Sequence, residues 1–150
     1  MNREIKFRGM DANGVMRYGL LSQDKPKSTA YYKEYSQRIC WGDSNIPVKN
    51  ETLGQFTGLL DKNGKEIYEG DLLRFPADND GEKENFVAYE VFFHDNDCAD
   101  NHIGFQINRV HYQGNICGTR TFPKFLPKYM EELEIVGNVF ENLELLKESK

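Results

Sequence analysis

The chain has 150 residues and a net charge of -5, with 39% hydrophobic, 13% aromatic and 29% charged residues. Disordered chains lack aromatics, so this composition excludes wholesale disorder, and a chain of this length buries about 68–70% of its unfolded surface, enough for one core or two small ones. No apolar run approaches the roughly 18 residues needed to span a membrane, so no membrane association is expected.

Met1-Asn2-Arg3-Glu4-Ile5-Lys6 contains no apolar signal core, which implies no secretion. Cys40, Cys98 and Cys117 are odd in number and widely spaced, which fits free thiols in a reducing cytoplasm better than a disulfide framework. Residues 1–50 carry nine Lys/Arg against five Asp/Glu, and residues 51–150 carry ten against nineteen. The acidic whole gives nucleic acid no attractive mean field, whereas the basic first third offers a local one.

Ile5 and Phe7 alternate with Lys6 and Arg8, the period of a half-buried strand. Asp11-Ala12-Asn13-Gly14 predicts a turn, and residues 15–21 a second strand with Met16, Tyr18 and Leu20 on one face and Arg17 on the other. Ile5, Phe7, Met16, Tyr18 and Leu20 are therefore expected on the core face of a hairpin, with Lys6, Arg8 and Arg17 outside. Residues 22–30 are polar and contain Pro26, which predicts a surface loop, and Tyr31-Tyr32-Lys33-Glu34-Tyr35 is ambiguous between strand and helical turn. A strand over 37–41 ends in a turn at 42–45, and Pro47 suits the start or edge of a strand.

A strand with glycine kinks follows over 53–59. Asp61-Lys62-Asn63-Gly64 is a tight turn, because Asn-Gly supplies positive φ. Glu69-Gly70-Asp71 is another, opening a strand over 72–75. Residues 77–85 form an acidic loop, and 86–93, rich in aromatic and β-branched residues, is the strongest predicted strand. A polar loop over 94–102, a strand over 103–108, irregular chain over 109–126, a turn or two of helix from Pro127 and a last strand over 134–140 complete the pattern. A terminal helical turn over 143–146 follows. Eight or nine short strands with almost no helix predict an all-β, mainly antiparallel protein. No fixed repeat is visible. A composition shift near residue 64 divides the chain into expected parts 1–64 and 65–150.

Three blocks carry a family resemblance: Arg3-Glu4-Ile5-Lys6-Phe7-Arg8 with Asp11, Gly14, Tyr18 and Gly19; residues 46–73 around the central turns; and residues 132–146 through Ile135-Val136-Gly137-Asn138. In order and spacing they resemble the YopX family of small bacteriophage and prophage proteins. The chain departs from it at Gly9-Met10, where the family usually has Ala-Trp, which removes an aromatic from the first turn and leaves a more flexible one. The resemblance implies a mostly β protein with a small N-terminal β part, an SH3-like C-terminal barrel, and a bacterial host cytoplasm. It supplies no catalytic residues. Glu69-Gly70-Asp71 before Leu72-Leu73-Arg74-Phe75 is itself similar to the opening strand of small SH3-like barrels.

Chemistry is sparse. His94, Asp95, Asp97, Cys98, Asp100 and His102 are metal-ligating types in nine residues, but they lack paired Cys spacing and fail the calcium-loop pattern, so a solvated loop is the expectation. Asp78-Asn79-Asp80-Gly81-Glu82 starts like a calcium loop but has Tyr89 at its twelfth position. No Gly-x-Ser-x-Gly occurs, and the glycines at 54, 58, 64 and 70 feed no helix N-terminus. The acidic groups Glu66/Glu69/Asp71 and Glu131/Glu132/Glu134 lack an evident catalytic environment, and Glu69 and Asp71 are expected to accept backbone hydrogen bonds. No enzyme activity, cofactor or metal is therefore expected.

The expected function is that of a phage accessory protein that binds protein, first of all itself, as a homo-oligomer, with a phage or host protein as a further partner. Open strand edges paired across a symmetric interface would serve this. The alternative is nucleic-acid binding through Lys6, Arg8, Arg17 and Arg38, with Tyr31, Tyr32, Tyr35 and Trp41 nearby for stacking.

Overall fold

The computed structural model describes residues 4–22, 33–74, 87–94, 104–112 and 132–143. Strands β1 (Phe7–Met10), β2 (Met16–Leu21), β3 (Gln37–Trp41), β4 (Ser44–Val48), β5 (Gly54–Leu60), β6 (Glu66–Tyr68), β7 (Asp71–Arg74), β8 (Val87–His94), β9 (Gly104–Tyr112) and β10 (Glu134–Asn138) run in that order. Among the described residues, helical structure is limited to a 3-10 turn at Asn50–Thr52 and to Leu143, the last residue described. The protein is all-β and antiparallel, as its alternation and turn residues predict. The strand orders are β4-β3-β2-β1-β5-β6 and β10-β7-β8-β9. The chain divides into two compact units after Gly58, within β5.

In the first unit, β1 pairs with β2 from Phe7 opposite Gly19 to Met10 opposite Met16. Lys49 N–H returns to the Met10 carbonyl at 2.8 Å, so the chain leaving β4 comes back to β1. Ile39 and Val48 are fully buried. Gly9 is required there, because a Cβ on it would lie 2.8 Å from Val48 Cγ2. Gly9 is thus a packed strand residue, not part of a flexible first turn. Pro47 lies on the edge strand β4, where its missing N–H breaks no ladder. Asn50 ties down the approach to β3: its Oδ1 accepts from Ser36 N and Gln37 N, and its Nδ2 donates to the Lys33 carbonyl.

The residues expected on the core face of the first hairpin do not share a face: Phe7 pairs with Gly19, whereas Tyr18 pairs with Arg8. Arg8 is 3% exposed, whereas Ile5, Tyr18 and Leu20 are 56%, 41% and 59% exposed. Alternation puts the residues of each strand on two faces but does not say how the faces of two strands are matched, which the pairing register decides. Arg8 lies opposite Tyr18 on one side and Gly54 on the other, so it shares a face with Phe56, which is also buried.

In the second unit, Ile67, Leu73, Val91, Ile107 and Leu133 form one core, with Leu59, Tyr89, Phe105 and Ile135 against it. Leu72 and Leu73 are both fully buried, as befits the inner strand β7, whose two faces are both covered. Strand β9 runs through Tyr112, so residues 109–112 are strand rather than irregular chain. They pair with β8 across a bulge, in which Ala88 faces His111 and Tyr89 faces Arg109. The described strands form an open four-stranded sheet, and no closed SH3-like barrel forms among them. The outer edge of β10 is unavailable for closure: Lys62 N–H donates to the Leu133 carbonyl, and Ile135 N–H donates to Asp61 Oδ2.

Asp11 and Asp61 head two copies of one turn. Asp11 Oδ1 accepts from Asn13 N and Val15 N at 2.8 and 3.0 Å, and Asp61 Oδ1 accepts from Asn63 N and Lys65 N at 2.8 and 2.9 Å. Each turn is closed by a backbone bond to the Asp carbonyl, from Gly14 and from Gly64 respectively. The third turn hinges on Gly70, whose φ of +82° favours glycine. Gly70 N–H reaches the Val91 carbonyl, and Val139 N–H reaches the Gly70 carbonyl.

Candidate functional site

The four basic residues singled out for nucleic acid do not share one face. The pairing register puts Lys6, Arg8 and Arg38 on the face that carries Tyr18 and Leu20, and Arg17 on the other. Arg8 is buried. Lys6 Nζ sits 3.2 Å from Glu4 and 5.6 Å from the centre of the Phe56 ring. Arg17 is engaged by Asp11, with its Nε at 2.8 Å and its Nη2 at 2.7 Å from Asp11 Oδ2. Arg38 is half-buried opposite Pro47. Of the aromatics, Trp41 is 66% exposed at the end of β3, and Tyr35 is half-buried. Tyr31 and Tyr32 lie outside the described residues.

The Asp11 carboxyl is held below its ordinary range, first by the Val15 amide, then against burial by Arg17 and the Asn13 amide. For Asp61, burial is the largest influence and pushes upward, but the amides of Ile135, Lys65 and Asn63 together outweigh it and keep the carboxyl low. Glu134 is held low by Lys62 first and Arg74 second, and the Lys62 Nζ contact is 2.5 Å. These three carboxylates are thus occupied in holding structure. Asp71 Oδ2 accepts the Tyr68 N–H, as expected of a turn carboxylate, and Glu66 accepts the Tyr68 hydroxyl.

Sequence reasoning missed Glu90. It sits in the middle of β8 opposite Leu72, and burial, followed by the charge of Glu69, pushes its carboxyl above the ordinary range. The available signal was a lone acid amid the apolar residues of the strongest strand. By alternation Glu90 shares its face of the sheet with Phe92, His94 and Gln106. The Phe92 and His94 rings are 6.2 Å apart, and Gln106 Nε2 is buried without a hydrogen-bond partner.

Of the 94–102 loop only His94 is described, so the remaining metal-ligating types there, with Asp78, Asp80, Cys98 and Cys117, fall outside the described residues. Among the described residues no three His, Cys, Asp or Glu side chains lie close enough to hold a metal ion. No described helix is long and apolar enough to cross a membrane.

These strands, turns and spacings match a known family model, that of YopX protein, over residues 6–147. The chain belongs to the YopX family. This YopX-family chain is also similar to a solved structure, the crystal structure of protein EF1440 from Enterococcus faecalis. The two are 22% identical with a TM-score of 0.50, and the match covers 97% of this chain and 100% of that one. At that identity the likeness speaks for the fold alone. No curated protein matches the chain.

Proposed function

We propose that this YopX-family protein is a non-catalytic, self-associating binding module of a phage or prophage, working in the host cytoplasm, with an SH3-like C-terminal part. The observation that carries this reading is apolar surface held in water by regular strands. Leu20 and Tyr18 on β2 and Trp41 at the end of β3 are 59%, 41% and 66% exposed, and Phe93 on β8 is 43% exposed. Large aromatic and aliphatic side chains kept out on a rigid sheet are the material of protein interfaces. Size-exclusion chromatography with light scattering tests it: a dimer or higher species at tens of micromolar is expected, and a strict monomer overturns it. Trp41 is the chain's one tryptophan, so its emission provides a second check on surface burial.

Nucleic-acid binding is the second reading, favoured by Lys6 and Arg38 sharing a face with exposed Tyr18. Fluorescence anisotropy with single- and double-stranded oligonucleotides tests it. Binding that weakens steeply with salt supports it, and no binding at low salt ends it.

A further inference from the structure

The two edges of the C-terminal sheet are built differently. Strand β10 is short and bulged between Ile135 and Gly137. Its outward groups are taken by Asp61, by Lys62 and, at Asn138 N–H, by Asn142 Oδ1. Bulges and plugged amides are how sheets prevent further pairing. Strand β9 lies at the other edge of the described sheet, with nine residues, one charge (Arg109) and no proline. Its bulge falls at Val110, which leaves the stretch from Gly104 to Arg109 regular.

We propose that this stretch of β9 pairs antiparallel with β9 of a second copy, about a twofold axis passing through Gln106. The inference rests on the self-association reading and names its site. A twofold axis perpendicular to a sheet keeps each residue on its own face, so the pairing must centre on a residue rather than between two. Centred on Gln106, Phe105 lies opposite Ile107 of the second copy. Both belong to the core-facing row, so the apolar row continues across the axis. Gln106 then meets Gln106 of the second copy. A primary amide both donates and accepts, so two of them satisfy each other, and directly opposite side chains are close enough to do so. Turned outward on pairing, the Gln106 amide gains a partner for its Nε2, which in the single chain is enclosed without one. The plugged β10 edge ends the assembly at two copies, as a closed dimer rather than a growing sheet.

The test pairs charge with cross-linking. Gln106→Glu and Gln106→Lys each place like charges face to face and are expected to raise the dimer dissociation constant roughly tenfold or more. Mixing the two variants is expected to restore the dimer as a heterodimer, which also shows that both fold. Gln106→Cys is expected to give a disulfide-linked dimer on mild oxidation, with the wild type treated in parallel to account for Cys40, Cys98 and Cys117. A wild-type dimer that persists in both charge variants and yields no cross-link through position 106 overturns the β9 pairing and leaves self-association standing. A monomeric wild type overturns self-association itself, and this pairing with it.

Discussion

The Asp11 and Asp61 turns have the same Asp-x-Asn-Gly sequence, the same Oδ1 bonds and the same closing bonds, yet they do different work. The difference lies in the second carboxylate oxygen. Asp11 Oδ2 stays local and takes Arg17, six residues on, across its own hairpin. Asp61 Oδ2 takes Ile135 N–H, 74 residues away, while Lys62 beside it binds both the Leu133 carbonyl and Glu134. A local turn motif therefore becomes a long-range clasp by spending one spare lone pair, and the clasp also blunts the β10 edge.

The largest effect is expected at the turn that acts with the Asp61 clasp. Gly70→Val sets a branched side chain at positive φ and drives Cβ to 2.9 Å from Phe140. Together these should cost about 4 kcal/mol in a denaturant titration. A Gly70→Val protein as stable as wild type would show the turn to be misread.

Asp61→Ala follows at about 3 kcal/mol, and Asp11→Ala at about 2 kcal/mol. Hydrogen exchange separates the two turns: the first variant should deprotect Ile135 along with Asn63 and Lys65, and the second only Asn13 and Val15. Equal, purely local deprotection in both would erase the difference between them.

The pH dependence sharpens the comparison. Both aspartates have folded pKa values below their unfolded ones, so the stability they add is complete above about pH 4 and is lost as the pH falls further. The acid limb of the stability curve should flatten in Asp61→Asn and in Asp11→Asn. Glu90 has the opposite sign. Its folded pKa is raised, so its contribution is present below the unfolded value near 4.5 and is lost as the pH rises. Glu90→Gln should stabilise the protein at neutral pH and do little in acid; a destabilised neutral protein would give Glu90 a partner or task unrelated to burial.

Smallest is Lys62→Ala, about 0.5 kcal/mol, because a partly exposed ion pair contributes little and the Lys62 backbone bond survives. A loss as large as that of Asp61→Ala would move the clasp from backbone to side chain.

Much of the fold was legible. Asn-Gly and Glu-Gly-Asp marked the turns through positive φ, and alternation marked β1, β2 and β9, because both signals are local. The alternation within each strand of the first hairpin was legible but the register between the strands was not: Arg8 pairs with Tyr18 and shares a face with Leu20, while Phe7 falls on the other. The extension of β9 past residue 108 was hidden because its bulge breaks the alternation. The long-range role of Asp61 was equally hidden, since no spacing within the turn announces Ile135. At the candidate site, Lys6 lies over Phe56, an aromatic that the sequence did not connect with it, whereas Arg17 was claimed by Asp11, a pairing that six residues of separation do not reveal. Glu90 and Gln106 were passed over because a single polar residue in a strand carries no motif.

Gly9 under Val48 constrains the order in which this sequence can change. The family's usual Ala at that place would put a Cβ 2.8 Å from Val48 Cγ2, an overpacking cost of about 1–3 kcal/mol. Trimming Val48 to alanine first opens the space and makes the step at position 9 nearly neutral, whereas the reverse order passes through a crowded intermediate. The two positions, 39 residues apart in the chain, are coupled through this packing, so a homologue that enlarges residue 9 is expected to carry a smaller residue at 48.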